Sequence, residues 1–219
     1  MANLTPLAVS DKPASILIEG DPACNVSDFV HSIVGASLVR SSLPRCLFMV
    51  DAEVDGRDAR ARMRAWLTNY YGGEKPDNKM KCVDYLKDVL TQKPGALANH
   101  ILETEPACSP FWVIRSDADD PNSPSVGYWH QYASAIRERI RCTCLHTVKR
   151  TAMGVSRVEP ERYDMHLRLR EYVIPGRERI NNAMLLENVA SGERIVFRDR
   201  PQAGGPSIWA PTFEEVAHA

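Results

Sequence analysis

Apolar residues follow two rhythms along this chain, and the rhythm changes near residue 160. Before that point, short apolar runs alternate with stretches of helical period. Ser15–Glu19, Cys46–Asp51 (CLFMVD), Phe111–Arg115 (FWVIR) and Cys142–Val148 read as buried strands. Between them, Ser27–Arg40 carries Val30, Ile33, Val34, Ser37 and Leu38 at helical spacing. Ser27 is its expected N-cap, and Asp28 suits the positive end of the helix dipole. Gly56–Tyr71 gathers Ala59, Met63, Trp66, Leu67 and Tyr70 on one face, and Gly72-Gly73 stops it. The same period predicts helices over Met80–Leu90 and from Trp129 to Ile140.

After residue 160 the period becomes two. In Tyr163–Val173, Met165, Leu167 and Leu169 face one way and His166, Arg168 and Arg170 the other. Ile180–Val189 and Glu193–Arg198 predict two further strands joined through Ala190-Ser191-Gly192. Strands alternating with helices give an α/β protein with a mostly parallel sheet covered on both faces. The terminal strands extend that sheet as antiparallel meanders. No internal repeat and no low-complexity tract is visible.

Composition adds limits rather than direction. At 219 residues, with 44% hydrophobic and 25% charged residues, the chain has the make-up of a soluble globular protein. A net charge of −1 gives no global field towards nucleic acid or membrane. No secretory signal and no membrane-length apolar run is present, so a cytoplasmic location is expected. Cys24, Cys46, Cys82, Cys108, Cys142 and Cys144 then read as reduced thiols. Cys142, Cys144 and His146 lack the spacing of a structural zinc site and read as a buried strand, so no metal is expected.

The stretch that carries chemistry is ILIEGDPACNVSDF, a strand, a loop opened by Gly20, and a helix start. Together with the later segments of the chain, it resembles the RecA-like ATPase superfamily in its KaiC/RadA-like branch. There the phosphate-binding loop reads G-x-P-G-x-G-K-T-x-F, and Gly20, Pro22, Ser27 and Phe29 match in register. CLFMVDAEVDGRDARARM resembles the second strand and its acidic end, with Glu53 at the place of the water-activating carboxylate and Asp51 as the weaker candidate. WVIRS stands where the Walker B strand would end in Asp-Ser. GVSRVEPERYDMHLRLREYV and SIWAPTFEEV resemble the late strands and the closing helix. The resemblance implies a single RecA-like domain over residues 15–216, between short tails at 1–14 and 217–219.

Departures from the family pattern fall on the machinery itself. A phosphate loop works because inward N–H groups and a lysine face the anion. Ala23 and Asn25 replace glycines, and Val26 stands at the lysine position. Arg115 stands where the Walker B aspartate would hold Mg²⁺, and the family's late K-x-R-G element is missing from LLENVASGERIVF. The resemblance therefore implies a vestigial nucleotide site made of Gly20, Asp21, Ala23, Asn25, Val26, Ser27 and Arg115. It implies no catalysis and no cofactor, with weak ATP or GTP binding left open. A rescue by Arg115, reaching over from a strand beside the loop, is one alternative.

Three functions are compatible with the residues. In a RecA-like ring or filament, subunits meet at the cleft, so a vestigial cleft implies a structural or regulatory subunit of a homo- or hetero-oligomer. Arg57, Arg60 and Arg64 recur on one face of the second helix, and Arg137, Arg139 and Arg141 cluster near the fourth strand, as partner-binding candidates. The alternative is DNA or RNA binding by the loop after the fourth strand, through Lys149, Arg150 and Arg157. A carboxylate metal site from Asp117, Asp119 and Asp120 is the third idea, set against their role as turn formers before Pro121.

Overall fold

A computed structural model of the chain describes residues 13–26, 29–30, 32, 47–51, 80–82, 95–104, 111–117, 129–150, 158–173, 183–200 and 208–212. Among these, nine strands make one sheet: β1 (Ser15–Gly20), β2 (Leu47–Asp51), β3 (Met80–Cys82), β4 (Phe111–Asp117), β5 (Cys142–Lys149), β6 (Met165–Tyr172), β7 (Ala183–Asn188), β8 (Arg194–Arg200) and β9 (Ile208–Thr212). Their order is β3-β2-β4-β5-β1-β6-β7-β8-β9. The pairs from β3 to β6 are parallel, and those from β6 to β9 antiparallel. The change of period near residue 160 is therefore the change from parallel to antiparallel sheet. Pro211 is tolerated in β9 because that strand is the edge.

Two described helices, α1 (Gly95–Thr104) and α2 (Trp129–Arg139), lie on one face. Trp129, Tyr132, Ala133 and Ile136 of α2 pack with Ala98 of α1 against Val113, Cys142 and Cys144. The opposite face is closed by the helical turn that follows β1. Its Phe29 meets Phe197 of β8 edge to face, with centroids 4.9 Å apart at 86°. Arg137 fixes the start of β1 between α2 and β6. Its guanidinium pairs with Asp164 at 2.6 Å and donates to Ser15 Oγ and Pro13 O, both at 3.2 Å. It is thus an internal clamp and not the partner-facing cation that the arginine cluster suggests. Arg139 likewise donates to Asn99 of α1.

Two expectations are corrected here, and one element is not foreseen. Met80–Cys82 is a short strand, although the spacing of Val83, Leu86 and Leu90 predicts a helix from Met80; those three residues lie outside the described ones. Helix α1 is absent from the predicted elements, although Leu97, Ala98, Ile101 and Leu102 recur at helical spacing in its sequence. The helix after β1 begins with the bond from Phe29 N–H to Asn25 O at 3.1 Å, so Asn25 takes the cap position ahead of the predicted Ser27. The hairpin between β7 and β8 forms as expected. Gly192, at φ 70, supplies its left-handed residue, and Asn188 Oδ1 accepts from Ala190 N and Ser191 N. The predicted Gly56–Tyr71 helix lies outside the described residues.

Candidate functional site

The parallel strands β5, β1 and β6 end together on the side where open α/β sheets keep their ligand crevices. Gly20 is paired with Lys149 on one side and Leu169 on the other. From there the chain turns through Asp21–Asn25 into the helix. The turn is tied down by its own backbone. Asp21 N–H donates to Leu169 O at 2.9 Å, and Cys24 N–H donates back to Asp21 O at 2.9 Å. These amides are occupied within the protein and do not point at an anion.

Val26 gives the loop its character. It is fully buried, and a Cβ on Gly20 would lie 2.0 Å from its Cγ2. Gly20 is therefore required by close approach: the valine methyl fills the space that any side chain at residue 20 would need. Cys24 is also fully buried, and its thiol points at Leu169 O at 3.6 Å. Pro22, Ala23 and Asn25 are exposed, while Asp21 is half-buried. The loop is thus folded over the buried Cys24 and Val26 side chains, with the Asp21 amide tied to β6.

Burial pushes the Cys24 thiol up to about 11, with the Asp21 and Glu171 carboxylates adding to the shift. At pH 8 the thiolate is then about one part in a thousand. Peptide-level mass spectrometry after iodoacetamide treatment is expected to find Cys24 largely unmodified in the native protein and fully modified in denaturant. Native labelling at the rate of a free thiol would contradict the buried placement.

Charge is arranged around the end of β1 by three strands. Arg150, just past β5, has its N–H on Gly20 O at 2.9 Å and its guanidinium 3.9 Å from Asp21. Glu19, next to Gly20, pairs with His166 Nε2 at 2.8 Å, and the two side chains are 7% and 15% exposed. The His166 hydrogen bond holds Glu19 below the usual carboxylate range against burial that would raise it. The charges of His166, Arg150 and Arg168 act in the same direction as the hydrogen bond. Sequence patterning places His166 and Arg168 on one face, but gives no sign that Glu19 lies opposite them.

Arg115 is in β4, and β5 lies between β4 and β1. Its register partner is His146, whose own partner in β1 is Leu17. It therefore stands two strand spacings, about 10 Å, from β1 and short of the loop. The expectation of Arg115 on a strand beside the loop is corrected accordingly. Asp117, at the end of β4, is the residue level with Glu19, through Val148. Asp51 ends β2. Ser27, Glu53, Arg57, Arg60, Arg64, Asp119, Asp120 and Arg157 lie outside the described residues.

Cys142, Cys144 and His146 are buried in β5 beneath α2. The two sulfurs are 3.9 Å apart, and His146 Nδ1 shares a 2.6 Å hydrogen bond with Tyr163 OH. The Cys142 contact and burial both raise the Cys144 thiol well above its ordinary value. Among the described residues no group of three His, Cys, Asp or Glu side chains is placed to hold a metal ion. No helix among them is long and apolar enough to cross a membrane.

No protein-family model matches the sequence, and no curated protein does. Among solved structures, the chain is similar to the KaiC-like protein PH0186 from the hyperthermophilic archaeon Pyrococcus horikoshii OT3. Identity is 12%, the TM-score is 0.57, and the match covers 90% of this chain and 89% of that one. The fold is thus α/β and RecA-like, with a mostly parallel central sheet and C-terminal antiparallel strands.

Proposed function

We propose that this chain is a RecA-like subunit without nucleotide chemistry of its own, serving as a structural or regulatory member of an oligomeric assembly. The observation that carries this reading is Val26, buried against Gly20 where a phosphate loop places a cation. The occupied amides of Asp21 and Cys24 point the same way. With the Asp21 and Cys24 amides engaged inside the protein and a buried valine at the lysine position, the described part of the loop supports a role other than phosphate binding. In this fold subunits associate with the cleft at their seam, so a cleft with no nucleotide still leaves a surface for a neighbour.

The test is thermal melting with Mg-ATP or Mg-GTP, together with sedimentation of the free protein. A ligand at a hundred times its dissociation constant adds about 2.7 kcal/mol, several degrees at this size. No shift is expected, and sedimentation is expected to find an assembly larger than the monomer. A clear nucleotide shift, or a monomer under all conditions, would overturn the reading. The alternative of nucleic-acid binding through Lys149 and Arg150 predicts oligonucleotide capture that falls steeply with salt. The Arg150 guanidinium lies 3.9 Å from the Asp21 carboxylate, which an approaching phosphate backbone would also meet.

A further inference from the structure

Cys142 and Cys144 stand apart from the loop, at the start of β5 on the sheet face that α2 covers. Residues two apart in a strand share a face, so both sulfurs lie beneath the helix. The sulfurs are 3.9 Å apart, and the two residues are 1% and 0% exposed. Their hydrogen bonds are long: Cys144 reaches Ala133 O at 3.9 Å, and among the described residues Cys142 has only Cys144. A disulfide is the first product to consider, and the strand opposes it. Two residues of rise set the α-carbons about 6.6 Å apart, near the limit that a disulfide spans. The sulfurs would also have to close to about 2.05 Å. A single ion asks for much less. Metal–thiolate bonds of about 2.3 Å span the 3.9 Å separation with an angle of about 115° at the ion.

The number of ligands selects the metal. Structural zinc takes four, and among the described residues no third His, Cys, Asp or Glu side chain joins the pair as a ligand set. His146 comes next on the same face, but its Nδ1 is held by Tyr163 OH at 2.6 Å. Two soft thiolates without a harder third donor suit Cu(I). The shell fits an ion that must be kept from water, since Val113, Trp129, Tyr132, Ala133 and Ile136 surround the sulfurs with apolar surface. Once Cu(I) replaces the two thiol protons, the centre carries one negative charge. The Arg137 cation of α2 favours that charge at Cys144, ahead of the Asp164 carboxylate that opposes it. The way in is short, because Cys142 directly follows the exposed Arg141, where α2 has ended.

We infer that Cys142 and Cys144 form a two-coordinate site for Cu(I) beneath α2. On binding, two S–H bonds break and two S–Cu bonds form. Both protons leave to solvent, and no electron is transferred. The site requires nothing of Val26, of the loop or of a neighbouring chain, so its failure leaves the subunit reading intact.

The test titrates the full chain, reduced with a phosphine and kept free of oxygen, with Cu(I) in competition with the chromophoric chelator bathocuproine disulfonate. Wild type is expected to withdraw one equivalent of Cu(I) from the chelator. Cys142→Ser and Cys144→Ser are each expected to lose at least about a hundredfold in affinity, more than the loss of a supporting group costs. Cys24→Ser, altered at the loop, is expected to bind as wild type does. Failure of wild type to take copper from the chelator, or unchanged affinity in either Cys142→Ser or Cys144→Ser, would overturn the site. Should both of those variants fail to fold, the amide resonances of wild type decide, because Cu(I) is diamagnetic. Shifts centred on 142–144 and on 133–137 of α2 are expected. Shifts centred on another cysteine would overturn the site.

Discussion

Gly20→Ala is expected to destabilise the protein by about 3 kcal/mol, at the upper end of what overpacking costs. The reason is a single contact. A Cβ at residue 20 would lie 2.0 Å from Val26 Cγ2, a distance that no rotamer adjustment of a β-branched side chain relieves cheaply. The same geometry predicts a rescue. In a Val26→Ala background the nearest atoms would be the Cβ of residue 26 at 3.5 Å and of Cys24 at 3.6 Å, which are ordinary contacts. Val26→Ala alone should cost about 2 kcal/mol through its cavity. The double variant should then be no less stable than Val26→Ala, giving a coupling of about 3 kcal/mol. Urea unfolding of the four proteins measures the cycle. Additive losses would mean that Gly20 is required for some reason other than Val26.

That cycle also bears on what the loop is. In a loop built for phosphate, the glycine makes room for the anion and for amides turned towards it. Here it makes room for a valine methyl.

How much of this is legible in the sequence depends on the kind of signal each element carries. Strands such as β1, β4 and β5 are short apolar runs, and their burial on both faces is written in composition alone. The alternation of β6 separates Leu167 and Leu169 from His166, Arg168 and Arg170 without any knowledge of the fold. Helix α1 is legible in principle, since Leu97, Ala98, Ile101 and Leu102 recur at helical spacing, but it lies close behind Pro94 and is not among the predicted elements. Three residues of β3 are too few for any period to register. The loop is recognisable from Gly20, Pro22 and Phe29, but the inward turn of Val26 is not, since valine at that position reads only as a missing lysine. Glu19 is the least legible. A carboxylate at the end of an apolar run looks like the first residue of a turn, and its partner is 147 residues away. Only the parallel pairing of β1 with β6 brings them together.

His166→Leu is expected to destabilise the fold by about 3 kcal/mol at neutral pH, because it leaves the Glu19 carboxylate buried without its hydrogen-bond partner. Replacing both residues by leucine should recover much of the loss, as the burial cost of the carboxylate disappears with the charge. The pH dependence has a definite sign. Hydrogen bonding to His166 holds the Glu19 pKa below its ordinary 4.5, so the unfolded chain binds its proton more readily than the folded one. Its contribution is complete above that ordinary value and is lost as pH falls through the lower folded value. Wild type should therefore lose stability on acidification in that window, and Glu19→Gln should lose less there. In His166→Leu the hydrogen bond that lowers the pKa is gone while burial remains, so the acid slope should flatten. Urea unfolding as a function of pH distinguishes these cases. Equal acid slopes in wild type and Glu19→Gln would mean that the pair orders the end of β1 without coupling it to protons. A steeper slope in wild type alone would place proton-linked stability of this sheet end on the Glu19 carboxylate, which ties β1 to His166 of β6.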